Sequence, residues 1–154
     1  EYAALGLVAA NNPRILLFEE FALRQHAQKT FALTLKPIEA ELIVHAHCHE
    51  RACGLEDGAR QILKLIPGLS VTAAPPGCCG LNGFTGMTAD TFEASLGMAE
   101  LSLFPAIRRA GGDAFVAATG FSCRKQILDG LGRAARHPAM ILELALKGDV
   151  EILA

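Results

Sequence analysis

The sequence predicts an α/β fold, a small three-layer domain with a mostly parallel sheet and its cysteines at the carboxyl ends of the strands. Three observations carry that expectation. Apolar runs of strand length recur at residues 41–46, 69–74 and 114–119. The run at 41–46 is continuous rather than alternating, as in a strand buried on both faces. Segments with helical spacing separate them, and strand–helix alternation implies parallel strands joined by right-handed crossovers.

Taken in order, Asn11-Asn12-Pro13 is a break. Residues 14–18 read as a short strand and 19–28 as a helix whose start, Glu19-Glu20, is solvated. Residues 34–40, with Pro37, form a linker. The first long strand, 41–46, leads into a turn at His47-Cys48-His49. Over 55–66, Leu55, Ala59, Ile62, Leu63 and Ile66 recur at helical spacing, and Pro67-Gly68 stops the helix.

The strand at 69–74 ends at Pro76-Gly77-Cys78-Cys79-Gly80. Gly83, Gly86 and Met87 extend that loop, as a lid or as a long turn. Thr88 or Asp90 caps a long helix with Phe92, Leu96, Ala99 and Leu103 on its apolar stripe and Glu93 and Glu100 off it. Pro105 kinks that helix or begins a new turn, and Gly111-Gly112 closes the segment. After the strand at 114–119, Gly120-Phe121-Ser122-Cys123 enters a helix from about residue 124 to 131. Pro138 fits the first position of a last helix reaching Lys147.

At 154 residues the chain has the size of one domain, residues 1–154. A chain of that length buries roughly 70 % of its unfolded surface. It is 51 % hydrophobic, yet no apolar run approaches the roughly 18 residues of a membrane span. The net charge of −2, without a basic block, leaves no footprint for nucleic acid or an anionic membrane surface. The chain opens on Glu1 with no signal-peptide pattern, and reads as a piece of a longer protein. An odd set of five cysteines argues against a disulfide framework and for metal binding or catalysis in a reducing, cytoplasmic compartment.

The Cys78-Cys79 pair carries the chemistry. Adjacent Cα atoms are about 3.8 Å apart, below the roughly 4.4–6.8 Å of a relaxed disulfide. Flanking glycines indicate a tight loop where the backbone passes close to something. Two thiols presented together are metal or cluster ligands. Cys48, Cys78, Cys79 and Cys123 each follow a strand, and in a parallel sheet all carboxyl ends share one edge. Four thiolates suit a soft centre, either an iron–sulfur cluster or tetrahedral zinc. Adjacent cysteines favour a cluster, which seats them on different irons. Cys123, at a helix start, meets the positive end of the helix dipole. Cys53 falls outside the set, as a small buried hydrophobe. His45, His47 and His49 either complete a Cys₃His zinc site or hydrogen-bond to backbone and ligand sulfur. His26 and His137 are surface or capping residues.

The run His45-Ala46-His47-Cys48-His49, the Pro76–Gly80 loop and Cys123 together resemble the cysteine-rich CCG domain. That family combines one cysteine after a His-rich strand, a Cys-Cys-Gly loop and a final Cys-x-x-Cys. It occurs in the cysteine-rich subunits of heterodisulfide reductase and of anaerobic glycerol-3-phosphate dehydrogenase, and in the iron–sulfur subunit of glycolate oxidase. It also ends large FAD-linked oxidases of 2-hydroxy acids. Residues 16–21, 120–126 and Arg136-His137-Pro138 resemble that last group most, and the similarity covers about residues 14–145.

The resemblance implies an electron-transfer module of a flavin-linked 2-hydroxy-acid dehydrogenase. The FAD would lie in a separate domain, with flavin and ferredoxin-like domains as partners. The piece alone would not turn over substrate. Two departures stand out. The spacing from Cys48 to Cys78 is short and that from Cys79 to Cys123 long for the family. The final Cys-x-x-Cys is Cys123-x-x-Gln126, so four cysteines remain, enough for a 4Fe–4S cluster or for zinc. Gln126 can offer an amide oxygen or a hydrogen bond. The rival reading is a zinc-stabilised docking domain without redox chemistry; a thiol–disulfide enzyme lacks its usual Cys-x-x-Cys.

Overall fold

The structure, a computed structural model, describes residues 16–30 and 34–148. The chain falls into two compact units, residues 1–32 and 33–154. In the first unit the described element is helix α1, Phe18–Ala27. The strand expected over 14–18 gives way here, since Phe18 is already helical and Leu16 and Leu17 have no regular structure. Residues 14 and 15 lie outside the described set, as does the Asn11-Asn12-Pro13 break. The Glu20 carboxylate accepts from the Leu17 N–H at 2.9 Å, satisfying a helix-start donor and drawing the helix forward. Glu19 is buried, not solvated as expected. His26 is exposed.

The second unit has, among its described residues, four strands and six helices. Strands β1 (Ala40–His45), β2 (Leu69–Ala73), β3 (Phe115–Ala118) and β4 (Ala135–Arg136) form one all-parallel sheet in the order β2-β1-β3-β4. In β1, Leu42, Ile43, Val44 and His45 are all buried, as a continuous apolar run requires. Strand β4, only two residues long, offers no run to read and was not expected.

Helices α2 (Cys48–Ala52) and α3 (Gly58–Leu63) connect β1 to β2. Helices α4 (Ala89–Glu100) and α5 (Leu103–Arg109) connect β2 to β3. Helix α6 (Phe121–Leu131) crosses from β3 to β4, and α7 (Pro138–Lys147) closes the described chain. Helix α3 packs with α7, while α4, α5 and α6 pack with one another, giving helices on either side of the sheet. The three-layer α/β fold is the expected one.

The boundaries differ in instructive ways. The helix expected over 55–66 is regular only at Gly58–Leu63, because the Asp57 carboxylate binds Arg60 and Gln61 and the end tightens into i→i+3 turns at Leu65 and Ile66. Its inward face holds as expected, with Ala59, Ile62 and Leu63 buried. Each of the two larger side chains contributes about 1.5–3 kcal/mol of burial. The long helix breaks at Ser102, and Pro105 sits as third residue of the new helix α5. Thr88 occupies the cap position of α4, but its hydroxyl meets Thr91 Oγ1 at 3.0 Å instead of a backbone N–H. The buried stripe of α4 includes a polar residue, Ser95.

The chain leaves β1 toward β2 on one side and enters β3 on the other. Carboxyl-end loops that diverge in this way open a crevice, the place where open α/β sheets bind ligands. That crevice lies between the ends of β1 and β3.

Candidate metal centre

The loops after β1, β2 and β3 bring Cys48, Cys78, Cys79 and Cys123 together. The turn expected at His47-Cys48-His49 is the start of α2, so Cys48 is helical and His47 is its cap. His47 Nδ1 accepts from the His49 N–H at 3.3 Å, and the two rings meet edge to face at 4.6 Å. The extended geometry that would set both histidines opposite Cys48 is therefore absent. Helix α6 likewise starts earlier than expected, at Phe121, placing Cys123 in its first turn.

Hydrogen bonds lace the ends of β1 and β3. The His47 N–H donates to Glu50 Oε2 and to Thr119 Oγ1, each at 3.1 Å. The Thr119 hydroxyl donates to Glu50 Oε2 at 2.8 Å. Arg124 Nη1 donates to the carbonyls of Ala118 at 2.9 Å and Thr119 at 2.8 Å. Gly120 allows the closest approach. A Cβ there would lie 2.2 Å from the His47 ring and 2.9 Å from Cys123 Sγ.

The Cys-Cys loop is clamped from the other side. Ser102 Oγ donates to the carbonyls of Pro75 and Pro76, at 3.3 and 3.0 Å. Gly80 takes φ +87°, and a Cβ on it would lie 2.0 Å from the Ser95 carbonyl oxygen. The Gly80 N–H points back at Cys78 Sγ, 3.3 Å away. Beyond it, Asn82 and Thr85 exchange backbone bonds in a tight turn.

The thiols interact in two pairs, Cys48 with Cys78 and Cys79 with Cys123. The Cys123 thiol draws Cys79 down to about 6, against burial, with help from the Leu81 backbone and Ser122. Cys123 is pushed up, first by Cys79 and then by burial. Within this pair Cys79 is the thiol that loses its proton more readily. Burial raises Cys48, and the Cys78 and Cys79 thiols raise it further. All five cysteines are free, but Cys53 is exposed at the end of α2, not buried as expected. The short helix ends there, leaving its side chain no facing layer.

Among the described residues, no group of three or more His, Cys, Asp and Glu side chains closes around a single metal ion. His45 and Gln126 carry orphaned polar atoms. His45 is 1 % exposed, and neither ring nitrogen has a partner among the described residues. Gln126 is fully buried with its Oε1 unpartnered. His137, by contrast, caps α7 through Nδ1 to the Ala139 N–H at 3.2 Å, in the role expected of it.

Glu50, Ser95, Ser102, Thr119 and Arg124 were not singled out by the sequence. One signal was present: His47-x-x-Glu50 has the spacing of a capping box. The others act across tens of residues, a distance that local pattern does not register.

His45 should give the metal-free chain a measurable pH dependence. Burial, then the charges of Arg51 and His47, lower it from 6.5 to about 4. The unfolded chain therefore binds a proton that the folded chain refuses. Stability is full above about pH 6.5 and falls as pH drops toward 4, by about 3 kcal/mol. Urea unfolding across that range should show the loss, and His45→Leu should flatten it. An unchanged slope in the variant would assign the acid sensitivity elsewhere.

No family model matches the chain, and no solved structure matches it. Curated proteins do. Over 114 residues, 74 % of this chain, it is 30 % identical to a subunit of the anaerobic glycerol-3-phosphate dehydrogenase of Escherichia coli (strain K12), matching 28 % of that protein. It is 42 % identical over 66 residues to the D-2-hydroxyglutarate dehydrogenase of the same strain, 43 % of this chain and 6 % of that protein. With the D-2-hydroxyglutarate dehydrogenase of Pantoea ananatis the identity is 39 % over 98 residues, 63 % of this chain and 10 % of the relative. The chain thus spans less than a third of the length of these relatives, and its homologues are subunits and domains of dehydrogenases.

Proposed function

We propose that the chain is a CCG-type domain whose Cys48, Cys78, Cys79 and Cys123 hold an iron–sulfur cluster, and that it carries electrons for a flavin-linked dehydrogenase of 2-hydroxy acids. The observation behind this reading is the convergence of four free thiols at the carboxyl edge of β1 and β3. Bound there, a cluster would supply one-electron chemistry. The chain's own residues hold it. Cys79 and Cys123 sit in the apolar core, which shields the site from water. Glu50, Thr119 and Arg124 fix the loops that present Cys48 and Cys123, and Ser95 and Ser102 fix the Cys-Cys loop.

The relatives' names support the dehydrogenase part of the reading. A flavin domain and a ferredoxin-like domain would be the partners, in the same chain or complex. No helix among the described residues is long and apolar enough to cross a membrane.

Anaerobic purification tests the proposal. The protein should be brown, contain iron and acid-labile sulfide, and bleach with dithionite. A colourless, sulfide-free preparation with one zinc per chain would replace the electron-transfer reading by that of a zinc-stabilised docking domain.

A further inference from the structure

We infer that Gln126 contributes its amide oxygen, Oε1, to the centre held by the four cysteines, making the site one of sulfur and a single oxygen. The inference rests on the cluster reading and deepens it. Gln126 is 0 % exposed, in the middle of α6. Its Nε2 donates to Ser95 Oγ at 2.8 Å, while Oε1 has no partner among the described residues. A buried polar atom left unpaired destabilises the fold.

The surroundings give the orphan a direction. Residues three apart on a helix share a face, so Gln126 lies one turn beyond Cys123 on its side of α6. Cys123 and Cys79 belong to one buried cluster, and the Ser95 carbonyl lies against Gly80, the residue after Cys79. Ser95 therefore touches both the cysteine loop and the amide. Its hydroxyl pins one end of the amide and leaves the other end free. A neutral amide oxygen is a poorer ligand for a soft metal than a thiolate. The contact it makes is therefore the exchangeable one in the site.

Two substitutions test this, read on the anaerobically purified chain. Gln126→Leu should leave the urea midpoint of the metal-free chain nearly unchanged, because the orphaned oxygen goes but the buried Ser95 hydroxyl loses its partner. The same variant should lose iron to a chelator about tenfold faster, the scale on which loss of a supporting contact acts. Faster iron loss without a matching loss of stability is what a purely structural glutamine would not produce. Gln126→Glu, which keeps an oxygen in place, should retain iron and shift the electron paramagnetic resonance spectrum.

Iron retention and a spectrum equal to wild type in Gln126→Leu would overturn the inference while leaving the cluster reading standing. Iron loss in Gln126→Glu as fast as in Gln126→Leu would also overturn it, assigning the amide N–H and not the oxygen. A Gln126→Glu chain that does not fold leaves the Gln126→Leu chelator rate to decide. Wild-type protein holding neither iron nor sulfide would sink inference and reading together.

Discussion

Serine in place of Cys79 is expected to empty the metal centre. Cys79 loses its proton more readily than Cys123 and is 2 % exposed, and a buried hydroxyl replaces it poorly as a ligand. Retention of iron should fall by more than the roughly 10–100-fold that loss of a hydrogen bond supporting a ligand costs. Cys48→Ser and Cys123→Ser should behave alike. Cys53→Ser is the control. Its thiol is exposed, so iron content should hold and stability change by no more than about 0.5 kcal/mol. Metal analysis of the four variants, prepared anaerobically side by side, checks this. Equal loss from Cys53→Ser would mean that the ligand set is wrongly drawn.

Gly80→Ala is expected to be the most destabilising single methyl in the domain. Its backbone has φ +87°, and the new Cβ would lie 2.0 Å from the Ser95 carbonyl oxygen, an atom of helix backbone that cannot swing away. Strain at such a φ costs on the order of 1 kcal/mol, and displacing α4 adds to it, for about 3 kcal/mol or more. Gly83→Ala separates the two contributions. Gly83 has φ +55° with nothing within 4 Å of the added carbon, so that variant carries the backbone strain alone. Urea unfolding of both should show the larger loss at Gly80. A loss at Gly80 no larger than at Gly83 would show that the loop and α4 are free to part.

The sequence made much of this legible where one strong local pattern acted alone. Residues 41–46 could be placed as a strand because a continuous apolar run of that length fits a strand covered on both faces, and β1 occupies 40–45. The meeting of the cysteines followed from that placement, through the geometry of parallel sheets and not through spacing. Where two short-range preferences competed, reading failed. Leu16, Leu17 and Phe18 are apolar enough for a strand, yet the Glu20 carboxylate takes the Leu17 N–H and helix wins. Cys53 has the chemistry of a core residue, but α2 ends before anything covers it. Ser95 was invisible because a serine within an apolar stripe shows its purpose only beside Gln126 and Gly80.

The strand order also fixes when the site can come into being. Leu42 pairs with Phe115, 73 positions later in the chain (115 − 42), whereas its β2 partner, Val71, comes much sooner. As the polypeptide leaves the ribosome, β1 and β2 can pair early and display Cys48, Cys78 and Cys79 on an unfinished edge. Closing the longer loop to β3 adds only a little entropy but must wait for synthesis to reach it. Cys123 emerges last of the four. Nascent chains therefore pass through a stage with three of the four site thiols in place. If the site holds the proposed cluster, its delivery is best timed after that interval.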